Sequence, residues 1–159
     1  MEKQKLYALV EEKSPLLTDL SDRIWEFAEL SLLEYKSTAA YVEILKAEGF
    51  TVEENLCNIP TAFKGTFGSG TPVIGILGEY DALSGLSQVP GIPERQELIP
   101  GGSGQGCGHH LLGAGALGAA LAVKKGIKPG QVDAQEVRAI LRADGCQLEP
   151  DPNAKEMVF

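Results

Sequence analysis

Apolar positions recur at helical spacing through the first part of the chain: Leu6, Leu9 and Val10, then Leu16, Leu20, Ile24 and Phe27. That rhythm puts them on one face and predicts an amphipathic helical region. Pro15 interrupts it. Ser14 is a good N-cap and proline fits a first helical turn, so the pattern predicts a second helix opening there. Tyr41, Ile44 and Leu45 predict a further helix over 37–48, with Ser37 as its N-cap and Gly49 just past its end. The period then changes to two. Val52, Glu54 and Leu56 alternate with Thr51, Glu53 and Asn55, and Phe63, Gly65 and Phe67 alternate with Lys64 and Thr66. Both runs predict strands. Residues 73–78, VIGILG, are instead continuously apolar after the turn signal GSGTP, as in a strand buried on both faces.

Residues 81–106 lose all periodicity, are rich in glycine and contain Pro90, Pro93 and Pro100. A loop of that length inside a compact domain is usually functional. From Leu111 the run LLGAGALGAALAVKK predicts a helix, and Gly113, Gly115, Gly118, Ala119 and Ala122 line a face that lets a neighbouring backbone come close. Residues 136–143, EVRAILRA, predict a final strand.

Composition narrows the partners. A length of 159 residues suits a single domain. The net charge of -8 argues against nucleic acid and anionic membranes, which need clustered cationic side chains. The longest apolar run, 111–123, falls short of the roughly 20 residues that span a bilayer. The first residues, MEKQKLYALVEEK, contain no uninterrupted apolar stretch of the signal-peptide kind. A cytoplasmic location is the expectation. Three cysteines, Cys57, Cys107 and Cys146, cannot all pair with one another, which leaves at least one free thiol.

The candidate chemistry lies in 101–110, GGSGQGCGHH. It matches no dinucleotide or phosphate-binding glycine motif, and no G-x-S-x-G nucleophile elbow occurs anywhere in the chain. What remains is Cys107-Gly108-His109-His110. In an extended segment positions i and i+2 face the same side, so Cys107 and His109 share a ligand only if both precede the helix. The positive end of that helix then favours the thiolate. Cysteine and histidine are both zinc ligands, although two ligands do not complete a site. The alternative reading is a buried thiol with histidines at the helix start.

LGEYDALSGLSQ at 77–88, followed by GQGCGHHLLGAGALGAALAVK at 104–124, resembles the zinc-dependent aminoacylase and carboxypeptidase family. Within it the chain is most similar to the amidohydrolase branch of the aminobenzoyl-glutamate utilisation protein B type, and EYKSTAAYVEILKAEGFTVE and IPTAF fit the same branch. The resemblance implies an α/β fold, a mixed sheet flanked by helices in a zinc-peptidase-like catalytic domain, with 1–159 as a truncated, N-terminal portion of it. It also implies hydrolysis of an amide bond of an N-acyl or aminobenzoyl amino acid or small peptide, with one or two Zn2+ or Mn2+ ions. Cys107 and His109 fall on the branch's metal-ligand positions, and His110 stands where an Asp or Asn is usual. Asp81 matches an acidic residue that orients a ligand. Glu79 occupies a place held by a histidine ligand in other branches.

The same resemblance implies a glutamate base after the final strand, where Glu149 aligns and Pro150 replaces a ligand glutamate, with Cys146 nearby. Further metal histidines and a lid and dimerisation domain are implied beyond these residues; relatives are often homodimers. Two other readings stand beside this one. One is a non-catalytic remnant or binding module with partial metal binding. The other is a cysteine hydrolase with Cys107 as nucleophile and His109 as base, which has no third group to orient the histidine.

Overall fold

A computed structural model describes residues 3–69 and 73–126. Helix α1 (Lys3–Phe27) lies against α3 (His109–Gly126), and α2 (Tyr35–Ala47) packs on α1 and on a two-stranded sheet. In that sheet β1 (Thr51–Glu54) runs antiparallel to β2 (Phe63–Thr66), with Val52 opposite Gly65. Leu20, Ile24, Tyr41, Leu45, Phe50, Leu117 and Leu121 form the core between the helices. Its position explains why the apolar rhythm of three separate segments persists: each contributes one face to the same cluster.

Three local expectations are corrected. Pro15 opens no second helix; α1 runs through it. Proline removes one backbone donor, but Pro15 and Glu11 both sit on the exposed face, where water can satisfy the freed carbonyl. Leu16, Leu17 and Leu20 continue the packed face across the interruption. Ser37 is likewise not the N-cap of α2 but its third residue, and Glu34 holds the N-cap position without a side-chain capping bond. The capping carboxylate comes from Glu29, which accepts the backbone N–H groups of Lys36 (2.9 Å) and Ser37 (2.8 Å) and the Ser37 hydroxyl (2.9 Å). Those are donors that the first helical turn leaves without intrahelical partners. Finally, residues 73–78 form no strand of the described sheet. Within that run Gly75 makes a bridge, Ile76 packs on the core and Leu77 is 83% exposed.

The end of α2 follows the expected pattern closely. Gly49 adopts φ +81°. Its N–H bonds to the Lys46 carbonyl (3.0 Å) and that of Phe50 to the Leu45 carbonyl (2.9 Å), the paired bonds of a Schellman motif with Phe50 and Leu45 in the same core. The strand expected over 136–143 lies outside the described residues.

The small-residue face of α3 is divided. Gly115 and Ala119 are exposed, whereas Gly113 and Gly118 are points of close approach. A Cβ on Gly118 would stand 2.8 Å from Leu17 Cδ1, and one on Gly113 would stand 2.1 Å from the Tyr41 hydroxyl and 2.7 Å from the Glu79 carbonyl. Tyr41 is wholly buried and its hydroxyl has no partner among the described residues. Burial also holds that hydroxyl in its protonated form, well above the ordinary tyrosine range.

Gly113→Ala should therefore destabilise the chain by roughly 1–3 kcal/mol through overpacking. Tyr41→Phe, which deletes an unsatisfied buried hydroxyl, should cost less than about 1 kcal/mol or stabilise. Urea unfolding of both single variants and the double variant checks the contact: the double variant should lose less than the sum by at least about 0.5 kcal/mol. Strict additivity would show that the two groups do not meet.

Candidate metal centre

Backbone pairing gathers three distant segments. The Ala82 N–H bonds to the Glu29 carbonyl (2.7 Å), and Leu83 and Gly104 exchange two bonds of 2.9 Å each. These bridges run parallel between Leu30 and Ala82 and antiparallel between Leu83 and Gly104. Gln105 adds a side-chain tie: its Nε2 donates to the Tyr80 carbonyl (3.2 Å) and its Oε1 accepts the backbone N–H of His110 (3.2 Å). The glutamine thereby fixes the start of α3 relative to the 79–81 segment.

Tyr80 anchors that segment from the opposite side. Its ring packs against Tyr41 and Phe63. Its hydroxyl donates to the Thr61 carbonyl, with the Thr38 hydroxyl 3.1 Å away. Burial, only partly opposed by the Thr38 hydrogen bond and reinforced by the charges of Glu34, Glu29 and Asp81, pushes the phenol up to about 12. It remains a neutral donor at ordinary pH.

With Tyr80 turned inward, its neighbours Glu79 and Asp81 converge on His109. Asp81 Oδ1 lies 2.7 Å from His109 Nδ1, and Glu79 Oε2 lies 3.3 Å from His109 Nε2. One ligand atom from each of the three residues falls within 4.8 Å of the others. The side chains of Asp81 and His109 are 24% and 22% exposed against 52% for Glu79, so the group is held from inside and reached from the Glu79 side.

Donor chemistry and spacing both fit a divalent ion. Metal–ligand bonds of about 2.0–2.1 Å at a tetrahedral angle put two donor atoms roughly 3.3 Å apart, which matches the separation of Glu79 Oε2 and His109 Nε2. The 2.7 Å contact suits a different role: a carboxylate accepting Nδ1–H fixes the tautomer that leaves the Nε2 lone pair free.

Other candidates lie apart from this group. Cys107 is exposed and contributes no atom to the three-residue group. The extended geometry expected for Cys107 and His109 does not form, because Gly108 turns at φ +74° and His109 is already the first residue of α3. Both His109 nitrogens face carboxylates, so neither orients the Cys107 thiol and the cysteine-hydrolase pair is not formed. His110 is not one of the three. Its Nδ1 is buried without a partner among the described residues, and burial pushes its imidazole below the usual histidine range despite the opposing charge of Asp22. Glu149, Pro150 and Cys146 lie outside the described residues.

Glu79 is the member whose role the sequence left most open. The alternation argument applied to Cys107 and His109 in fact applies to Glu79 and Asp81, which flank an inward-facing tyrosine.

No family model matches the chain. Its fold is found in a solved Staphylococcus aureus protein, from a methicillin resistant strain, assigned as an aminohydrolase: the TM-score is 0.63 at 24% identity, covering 78% of this chain and 31% of that one. That likeness gives an α/β fold, of which this chain spans part. Over 108 residues, 68% of its length, the chain is 50% identical to one of the subunits of the p-aminobenzoyl-glutamate hydrolase of Escherichia coli (strain K12). The chain spans 22% of that relative's length. Among the described residues no helix is long and apolar enough to cross a membrane.

If Asp81 orients His109, Asp81→Asn should leave the unfolding midpoint nearly unchanged and weaken zinc binding by roughly 10–100-fold. Calorimetric titration with zinc checks this. An unaltered affinity would remove Asp81 from the site.

Proposed function

We propose that this chain carries part of the catalytic centre of a metal-dependent amidohydrolase acting on an N-acyl or aminobenzoyl amino acid. The observation that supports it most is the Glu79–His109–Asp81 group, in which one histidine presents one nitrogen to an orienting carboxylate and the other to a ligand-forming one. Similarity to a component of the aminobenzoyl-glutamate hydrolase supplies the substrate class.

In this reading Glu79 Oε2 and His109 Nε2 hold a Zn2+ or Mn2+ ion. Such an ion acidifies a bound water and polarises the scissile carbonyl. Asp81 keeps the His109 proton on Nδ1, and Tyr80 holds the backbone between the two carboxylates against the core. Glu149 is the proposed base that takes the water's proton and passes it to the leaving nitrogen. Cys107, adjacent to the site in sequence and exposed, is the proposed additional ligand, and His110 a further one. The substrate is a small molecule.

A second reading, which the convergence of three donor residues also supports, is that the chain binds metal without turnover.

Zinc titration separates the ligand assignments. His109→Ala should abolish binding and Glu79→Gln should weaken it by more than tenfold; loss in Cys107→Ser with none in Glu79→Gln would reverse the assignment. Release of aminobenzoate from aminobenzoyl-glutamate, followed with and without zinc or manganese, tests activity. Stoichiometric metal with no metal-dependent release would establish the second reading.

A further inference from the structure

Gln105 connects the two parts of the candidate metal group without belonging to it. Its Nε2 donates to the carbonyl of Tyr80, the residue between Glu79 and Asp81, and its Oε1 accepts the N–H of His110, next to His109. A side-chain amide offers a donor and an acceptor side by side, and a carbonyl and an N–H together admit one orientation of it. The His110 N–H is also one of the donors that the first turn of α3 cannot satisfy within the helix.

The backbone that presents this amide is itself held. Gly104 exchanges two bonds of 2.9 Å with Leu83, and the Gln105 carbonyl accepts the Gly108 N–H (3.1 Å). The close approach of α3 to the 78–79 backbone lies further along the helix, at Gly113, about 6 Å from His109 at the helical rise. That approach sets how near the helix comes. A single such contact is also a pivot, about which the first turn can swing. The Gln105 amide acts at the end where His109 sits and removes that freedom.

We propose that Gln105 is a positioning residue for the candidate centre. Its amide sets the angle of the first turn of α3 so that His109 Nδ1 meets Asp81 at 2.7 Å while Nε2 stands 3.3 Å from Glu79. The proposal rests on the amidohydrolase reading for the ion and on the hydrogen bonds alone for the geometry. Metal sites tolerate donor displacements of only about 0.2 Å, so a small swing of that turn weakens one. Asp81 governs one nitrogen of His109, whereas Gln105 governs the placing of both.

The test reads the His109 Nδ1–H proton of the metal-free chain by NMR, since a hydrogen bond to a carboxylate moves that proton downfield and slows its exchange with water. The signal should be present in the wild type and lost in Gln105→Met, which keeps the length of the side chain and removes both bonds. Gln105→Glu keeps an acceptor and removes the donor, and should lose the signal as well. Zinc affinity, measured by calorimetry, should fall roughly tenfold or more in Gln105→Met. Leu17→Ala is the control for stability. Leu17 packs against the core and against Gly118, about 13 Å along α3 from His109. That variant should lower the unfolding midpoint and leave both the signal and the zinc affinity in place. A signal absent from the wild type or surviving in either Gln105 variant, a zinc affinity in Gln105→Met within threefold of the wild type, or the same losses in Leu17→Ala would each overturn the proposal. A wild-type chain that shows the signal and binds no zinc contradicts the amidohydrolase reading, and the signal in the variants then decides this one.

Discussion

The close approach of α3 to the 78–79 backbone at Gly113 is the constraint on which the rest of the structure depends. A Cβ there would overlap the Tyr41 hydroxyl and the Glu79 carbonyl together, so one missing methyl group lets the helix, the core tyrosine and the site segment occupy adjoining space. Gly78 continues the contact: a Cβ on it would lie 3.4 Å from the Gly113 Cα. Backbone packed against backbone in this way has few alternative arrangements, because interiors at crystal-like density do not deform continuously. The distance between Glu79 and the first turn of α3, where His109 sits, is therefore set by main-chain contact rather than by side-chain rotamers.

That geometry clarifies which features were legible in the chain. The Gly49 stop of α2 was readable because a left-handed residue after an apolar run has one common use, and the structure shows the corresponding pair of bonds. Strands β1 and β2 were readable from a period of two, their pairing was not. The beginning of α2 was not, because the carboxylate that caps it comes from Glu29, outside the helix and too far upstream for any local signal. Pro15 misled for a related reason: the effect of a proline depends on whether the freed carbonyl faces water, which the sequence alone does not state. VIGILG signalled burial correctly for Ile76 and wrongly for Leu77.

At the site, the sequence singled out His109 and Asp81, which the fold brings into contact. It paired His109 with Cys107 because the two are neighbours in a glycine-rich segment; Gly108 between them turns at φ +74° and Cys107 is exposed. The actual neighbours of His109 come from 79–81, gathered by the Ala82–Glu29 and Leu83–Gly104 bonds and by Gln105. Contacts of that sequence separation leave no periodic trace. Resemblance located Asp81 where periodicity could not.

Glu29 serves two structures at once. Its side chain closes the first turn of α2, and its carbonyl receives the N–H of Ala82, next to Asp81. Fraying of that helical turn and loosening of the loop that carries Asp81 are consequently a single opening event rather than two. The site segment takes on the local stability of a helix end with which it shares no sequence, and slow amide exchange at Ser37 and at Ala82 would report the same equilibrium.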